Sequence, residues 1–219
     1  MPDESGLDDS PKYDAVYGPM VHWRPGYFRL VQRCRALGWD SRAILATTDE
    51  HVEDVLVNVA HALSLRALGR LLAAAGDEPG AARCATRAAR TETALLERCW
   101  DERRGLFLDL AGRSERRVTV STWSALAPLA LGDAIPEAVR LRLAEEHLLH
   151  PGRYRAACGV PSVSMEEPSF RPAFTAGGRG AARAGSTPHH PHTGAGIGAH
   201  GFGWSTLVAA LAAGRGEET

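Results

Sequence analysis

Two long helical patterns lie back to back with only five residues between them, and that arrangement restricts what the chain can become. From about residue 51 to 75, Val55, Val59, Ala62, Leu63, Ala67, Leu71 and Leu72 recur at the spacing of one helix side. Gly76-Asp77-Glu78-Pro79-Gly80 breaks the pattern. A second, alanine-rich stretch from about Ala81 to Trp100 then carries Ala85, Ala88, Ala89, Leu95, Leu96 and Cys99. Helices joined by so short a link fold back on each other as an antiparallel hairpin. Tyr27, Leu30, Val31, Cys34 and Leu37 predict an earlier helix stopped by Gly38, and Asp40 to Ala46 another turn or two capped by Asp40 or Ser41. Ser121 to Leu131 and Glu137 to Leu149 make a further hairpin that ends at His150-Pro151-Gly152. Leu106, Leu108 and Leu110 alternate, and with Val118 and Val120 beyond Gly112-Arg113-Ser114 they predict a small β-hairpin. The expected class is all-α, made of antiparallel helical hairpins. No fixed period relates them, which counts against a helical-repeat solenoid.

Composition narrows the functional classes. With 219 residues, 44% hydrophobic and 23% charged, the chain can bury a core of one domain or one and a half. A formal net charge of -1 provides no basic surface for nucleic acid or an anionic membrane. No apolar run approaches the roughly 18 residues of a bilayer span and no signal-peptide pattern opens the chain, so the expected compartment is the cytoplasm. Cys34, Cys84, Cys99 and Cys158 lack CxxC spacing and read as reduced thiols. No cofactor and no metal are expected, because His189, His190, His192 and His200 fall in a proline-interrupted coil without fixed geometry.

Two loops carry chemistry-bearing residues. Glu4 to Pro11 holds three carboxylates, with Gly6 freeing the backbone and Pro11 fixing it. It is either a ragged acidic terminus or a loop that holds the carboxylate of Asp8 in one place. Tyr13 to Tyr27 is dense in aromatic and turn residues and predicts no regular helix. Tyr17, Trp23 and Tyr27 beside His22 and Arg24 either stack on a sugar ring or plug the end of a helical bundle. The acidic run Asp49 to Asp54 suits a helix N-terminus, with Thr47 and Glu50 as a capping box. Asp54 and Asn58, four apart, share one face of the helix that follows.

ESGLDDSP (Glu4 to Pro11), VEDVLVN (Val52 to Asn58), WDERRGLFLDL (Trp100 to Leu110), GVPSVS (Gly159 to Ser164) and the stretch from Gly194 to Ser205 follow one another in order. This series resembles the (α/α)6-barrel glycoside hydrolases of family 63, of the mannosylglycerate and glucosylglycerate hydrolase type. The resemblance implies an incomplete (α/α)6 toroid of helical hairpins and inverting hydrolysis of an α-glycosidic bond in a small glycoside. It makes Asp8 the general acid, with Asp9 a bystander or a like charge that raises the Asp8 pKa. It turns Asp54 and Asn58 into the cup and sets His200 and Trp204 near the sugar. WDERRGLFLDL closes a hairpin and is architectural, and GVPSVS lies at the rim. Tyr17, Trp23 and Arg24 complete the expected substrate contacts.

The chain also departs from that pattern. Where the family has a general-base glutamate in EYYxPxTG, Ser186 to Gly194 reads STPHHPHTG and contains no carboxylate. The family's WRGPxW helix start is missing after Phe174, no proline follows Asp54, and several helices expected ahead of ESGLDDSP have no counterpart. From Thr175 to Gly196 there is no Val, Leu, Ile, Met, Phe, Tyr or Trp, so no packed element is expected there. The resulting division is a partial catalytic domain over 1–172, a disordered Gly/Ala/Arg/His/Pro segment over 173–192, and a glycine loop with a last helix over 193–214. The middle segment reads as a frame or deletion artefact or a degenerate gene. Weak or absent activity is expected, together with self-association through uncovered apolar helix faces; the alternative is a non-catalytic carbohydrate-binding or helical-hairpin interaction protein.

Overall fold

The computed structural model describes residue 12 and residues 23–47, 51–156, 160–170, 186–189 and 196–200; for 23–27, 186–189 and 196–200 it describes the backbone. Helices dominate and the sheets are small. One unit takes residues 1–120 and 127–137, the other 121–126 and 138–219.

In the first unit, α1 (Trp23–Ala36) begins inside the aromatic stretch where no helix was expected. Pro25 sits in its first turn, where a missing N–H costs nothing because those amides have no intrahelical partner. The helix ends where Gly38 and Trp39 both adopt positive φ, and the Trp39 amide donates to the Cys34 carbonyl at 2.9 Å. α2 (Ser41–Thr47) is capped by Asp40, whose Oδ1 accepts from the Ala43 amide at 2.7 Å, as expected.

The hairpin comprises α3 (Val55–Ala74) and α4 (Glu78–Ala94), the latter running into a π turn at Leu95–Cys99. Gly76, at φ 82°, makes the turn. Asp77 caps α4 by accepting from the Gly80 amide at 2.9 Å. α3 buries Val55, Val59, Ala62 and Leu65, and the last of these packs with Cys84, Ala88 and Leu72. Leu71, expected on that face, is 69% exposed. Sixteen residues at about 100° each carry it about 160° around the helix from Val55. α3 is long and apolar enough to cross a bilayer by length and composition alone. It nevertheless carries Arg66, paired at 2.7 Å with the buried Glu92 of α4 and donating to the Leu131 carbonyl at 3.0 Å.

Two small ladders close the hairpin's end. β2 (Trp100–Asp101) pairs with β3 (Leu106–Phe107), and β4 (Leu110–Ala111) pairs on one side with β5 (Arg116–Arg117) and on the other with β1 (Val52–Glu53). Leu106, Phe107, Leu108, Leu110 and Ala111 are all buried. The expected β-hairpin is present, enlarged by β1. Because β1 draws residues 52–53 into a sheet, α3 starts at Val55 rather than at 51, and Thr47 belongs to the end of α2, where its hydroxyl donates to the Ala43 carbonyl at 2.7 Å. The Thr47/Glu50 capping box is therefore replaced by a cap at Asp54.

Trp123–Ala134 forms a 3-10 helix interrupted at Gly132, not the α-helix expected over Ser121 to Leu131. Pro128 lies inside it, and a proline deprives an α-helix of a hydrogen bond while clashing with the preceding turn. α5 (Glu137–Arg142) continues as a π turn over Leu143–Leu148 that buries Leu143 and His147. In the second unit β6 (Ser186–His189) pairs antiparallel with β7 (Gly196–His200), its register shifting between Thr187 and His189. No element was expected between Thr175 and Gly196. The inference from composition weighs side chains available for packing, whereas a two-strand ladder is closed by backbone groups.

Candidate active site

The site that the described residues define begins at the N-terminus of α3. β1 holds the chain extended into Asp54 (φ -81°, ψ 126°), and the helix starts with the next residue. Asp54 Oδ1 accepts from the Val57 amide at 2.9 Å. Asp109, immediately before β4, reaches across and accepts from the Val55 amide through Oδ1, also at 2.9 Å. Two of the four amides that a helix start leaves unpaired are thus taken by two carboxylates, on which the positive end of the helix dipole acts favourably.

The second oxygens of both carboxylates face Lys12. Its Nζ lies 3.2 Å from Asp54 Oδ2 and 2.5 Å from Asp109 Oδ2, the second contact being close but off the line of a hydrogen bond. All three residues are buried, at 2%, 7% and 4% exposure for Lys12, Asp54 and Asp109. Burial pushes the Asp109 carboxyl above the usual carboxylate range; the Lys12 charge pulls it down and the Asp54 charge pushes it up again. The Asp54 carbonyl accepts from both the Asn58 side-chain amide at 2.8 Å and the Asn58 backbone amide at 3.1 Å. Asp54 and Asn58 do share one helical turn, as their spacing implied.

The carboxylates of Asp54 and Asp109 are thereby engaged within the protein. Lys12 and Asp109 were missed in the sequence. Asp109 had a signal: an aspartate inside the buried apolar run from Leu106 to Ala111 requires a partner. Lys12 had none beyond directly following Pro11. WDERRGLFLDL, expected to be architectural, contributes this carboxylate to the cluster.

The side chains of the remaining candidates fall outside the described residues. Asp8, Tyr17 and Trp204 lie outside the described residues. Trp23 and Arg24 open α1, and His200 ends β7 opposite Ser186, in each case described by backbone alone.

In the second unit the GVPSVS stretch is fastened from several sides, Gly159 lying outside the described residues. Pro161 is fully buried, Val163 bridges Thr122, the Ser164 amide donates to the Ser121 carbonyl at 2.9 Å, and the Trp123 amide donates to the Ser162 carbonyl at 3.1 Å. Ser121 is held through its hydroxyl, 2.7 Å from that of the buried Tyr154, and through its amide, which donates to Glu167 Oε1 at 2.8 Å. Among the described residues, no group of three His, Cys, Asp or Glu side chains is placed to hold a metal ion.

Residues 1–182 match the mannosylglycerate hydrolase MGH1-like glycoside hydrolase domain. The chain belongs to this glycoside hydrolase family. The match includes ESGLDDSP and runs past Pro172, while the glycine loop from Thr193 lies beyond it. A search of curated proteins returns no match. Crystal structures of the GH63 mannosylglycerate hydrolase from Thermus thermophilus share the fold of this MGH1-like chain. The complex with glucose superposes with a TM-score of 0.80 at 24% identity, covering 97% of this chain and 61% of that one. The complex with Tris and D-glycerate gives 0.79 at 22% identity, covering 97% and 64%. An uncharacterized conserved protein of the same organism gives 0.78 at 24% identity, covering 97% and 62%. The MGH1-like chain thus spans about three fifths of the length of these structures.

Proposed function

We propose that this MGH1-like chain is the acid-bearing part of an inverting glycoside hydrolase acting on an α-glycosidic bond of a small glycoside, glucosylglycerate or mannosylglycerate. The proposal is supported by the family match over residues 1–182; within that span Glu4 to Pro11 reads ESGLDDSP, and the resemblance of this motif is what makes Asp8 the general acid. The substrate class is supported by the ligands of the related mannosylglycerate hydrolase, glucose and D-glycerate, the two halves of glucosylglycerate. The architecture that goes with it is an incomplete (α/α)6 toroid.

Inversion needs an acid to protonate the leaving oxygen and a base about 6.5 to 9.5 Å away to activate water on the opposite face. Asp8 is the acid. By the resemblance, Tyr17, Trp23, Arg24, Asn58, His200 and Trp204 are the candidate substrate contacts, Arg24 being the group suited to a glycerate carboxylate. Asp54, a candidate substrate contact by the same resemblance, has its carboxylate engaged by the Val57 amide and Lys12. No carboxylate stands in Ser186 to Gly194, so the chain turns substrate over weakly or not at all on its own. That same absence favours a second reading, a non-catalytic carbohydrate-binding protein.

Purified chain incubated with glucosylglycerate and with mannosylglycerate decides between them. Release of glucose or mannose that Asp8→Asn abolishes supports the hydrolase. Saturable binding with no release, and with no glycosyl azide formed when azide is supplied as the nucleophile, supports the binding protein and rejects the acid.

A further inference from the structure

We propose that Lys12 is the positioning residue of the acid-bearing loop: seated between Asp54 and Asp109, its ammonium fixes the chain at a point four residues after Asp8. The proposal rests on the assignment of Asp8 as general acid. It adds the means by which that carboxyl is held where a glycosidic oxygen can meet it.

The geometry divides the two carboxylates by task. Each Oδ1 serves the helix, accepting from Val57 or Val55, and each Oδ2 faces the Lys12 ammonium. A cap alone would use one carboxylate and no cation. Two carboxylates from separate elements, converging on one lysine that is 2% exposed, fix that lysine in a single arrangement. Removing three charged groups from water is unfavourable, so such a cluster is a poor source of stability and a good determinant of position. Covalent geometry transmits the restraint. Four residues span at most about 14 Å, so an anchor at Lys12 sets an upper limit on the separation between the acid and the anchored point. Pro11, bonded to Lys12, fixes its own φ and restricts Ser10, removing freedom between anchor and acid.

Amide hydrogen exchange on the full chain tests the restraint. It compares wild type, Lys12→Met, and the double variant Lys12→Met/Asp109→Asn, in which one of the two carboxylates that faced the lysine is neutralised. Exchange in residues 4–11 should accelerate about 10-fold or more in both variants while α3 and α4 keep their protection. Unchanged exchange there in the folded double variant overturns the proposal. A second readout separates positioning from general support, with azide supplied as the nucleophile. A glycosyl fluoride departs without a proton, whereas a glycerate glycoside needs one. The double variant should lose about 100-fold or more on the glycerate glycoside and only a few-fold on the fluoride, the discrimination a misplaced general acid produces. Equal losses on both substrates make Lys12 merely structural and overturn the proposal. Asp8→Asn in the same assay reports separately on the acid: if it fails to discriminate, that assignment falls, while the exchange data still decide whether Lys12 holds the loop.

Discussion

Replacing Lys12 by Met should destabilise the chain strongly at neutral pH and progressively less as the solution is acidified. At an effective dielectric of about 20, the ion contacts at 2.5 and 3.2 Å correspond to gross attractions of about 7 and about 5 kcal/mol. Burying the three charges offsets most of this, at several kcal/mol per ion. The variant loses both attractions and the lysine's own desolvation, but its two carboxylates stay buried without the Lys12 charge. Breaking a buried pair in this way costs about 3 to 5 kcal/mol, a large share of the roughly 5 to 15 kcal/mol that holds a domain together. The pH dependence follows from the direction of the Asp109 shift. Its folded pKa lies above the ordinary carboxylate value, so the folded state binds the proton more tightly than the unfolded state does. Stability therefore falls as pH rises through the interval between those two values, and is regained as pH drops back through it. Without Lys12, which pulls the Asp109 pKa down, that interval widens. Urea unfolding at several pH values between about 5 and 8 measures the effect. A neutral-pH loss below about 1 kcal/mol, the size of an exposed ion pair, or a loss that does not shrink on acidification, would refute the reasoning.

Three further outcomes follow from single contacts. Asp77→Ala removes the cap of α4 and should cost about 1 kcal/mol, seen as a lowered urea midpoint at unchanged m. Tyr154→Phe leaves the buried Ser121 hydroxyl without its partner at 2.7 Å and should cost about 1 to 3 kcal/mol, with increased amide exchange at Val163 and Ser164. Burial pushes the Cys99 thiol up to about 12, so Cys99 should resist a thiol reagent in the native chain and react on unfolding, Cys99→Ser identifying its contribution.

Local rules made the helices legible and missed what joins them. Three-and-four spacing located the α3–α4 hairpin, and Asp40 and Gly38 marked real helix ends, because propensity and capping act within a few residues. The start of α3 escaped because Val52 and Glu53 pair with Ala111 and Leu110, a match between segments far apart in the chain that no local window contains. Proline was over-read at position 25, which falls in a first turn, and under-read at position 128, which falls inside a helix. The ion cluster escaped for the reason that β1 did: its three members come from three parts of the sequence. A lysine after a proline looks like any surface lysine until the two carboxylates that bury it are in place. Asp109 alone could have been suspected, because an aspartate among buried leucines has to be compensated by a partner.

The proposal that Asp8 acts as the acid of an inverting glycosidase, with no carboxylate in Ser186 to Gly194 to act as base, is tested most directly by azide rescue. Azide needs no base: it attacks C1 from the face opposite the departing glycerate, the new C1–N bond forms as the C1–O bond breaks, and the acid's proton goes to the glycerate oxygen. NMR of a reaction of glucosylglycerate with the chain and azide should show β-glucosyl azide accumulating, little free glucose, and a loss of about 100-fold or more in Asp8→Asn. Retained α-configuration, a rate independent of Asp8, or no glycosyl azide at all would contradict the account.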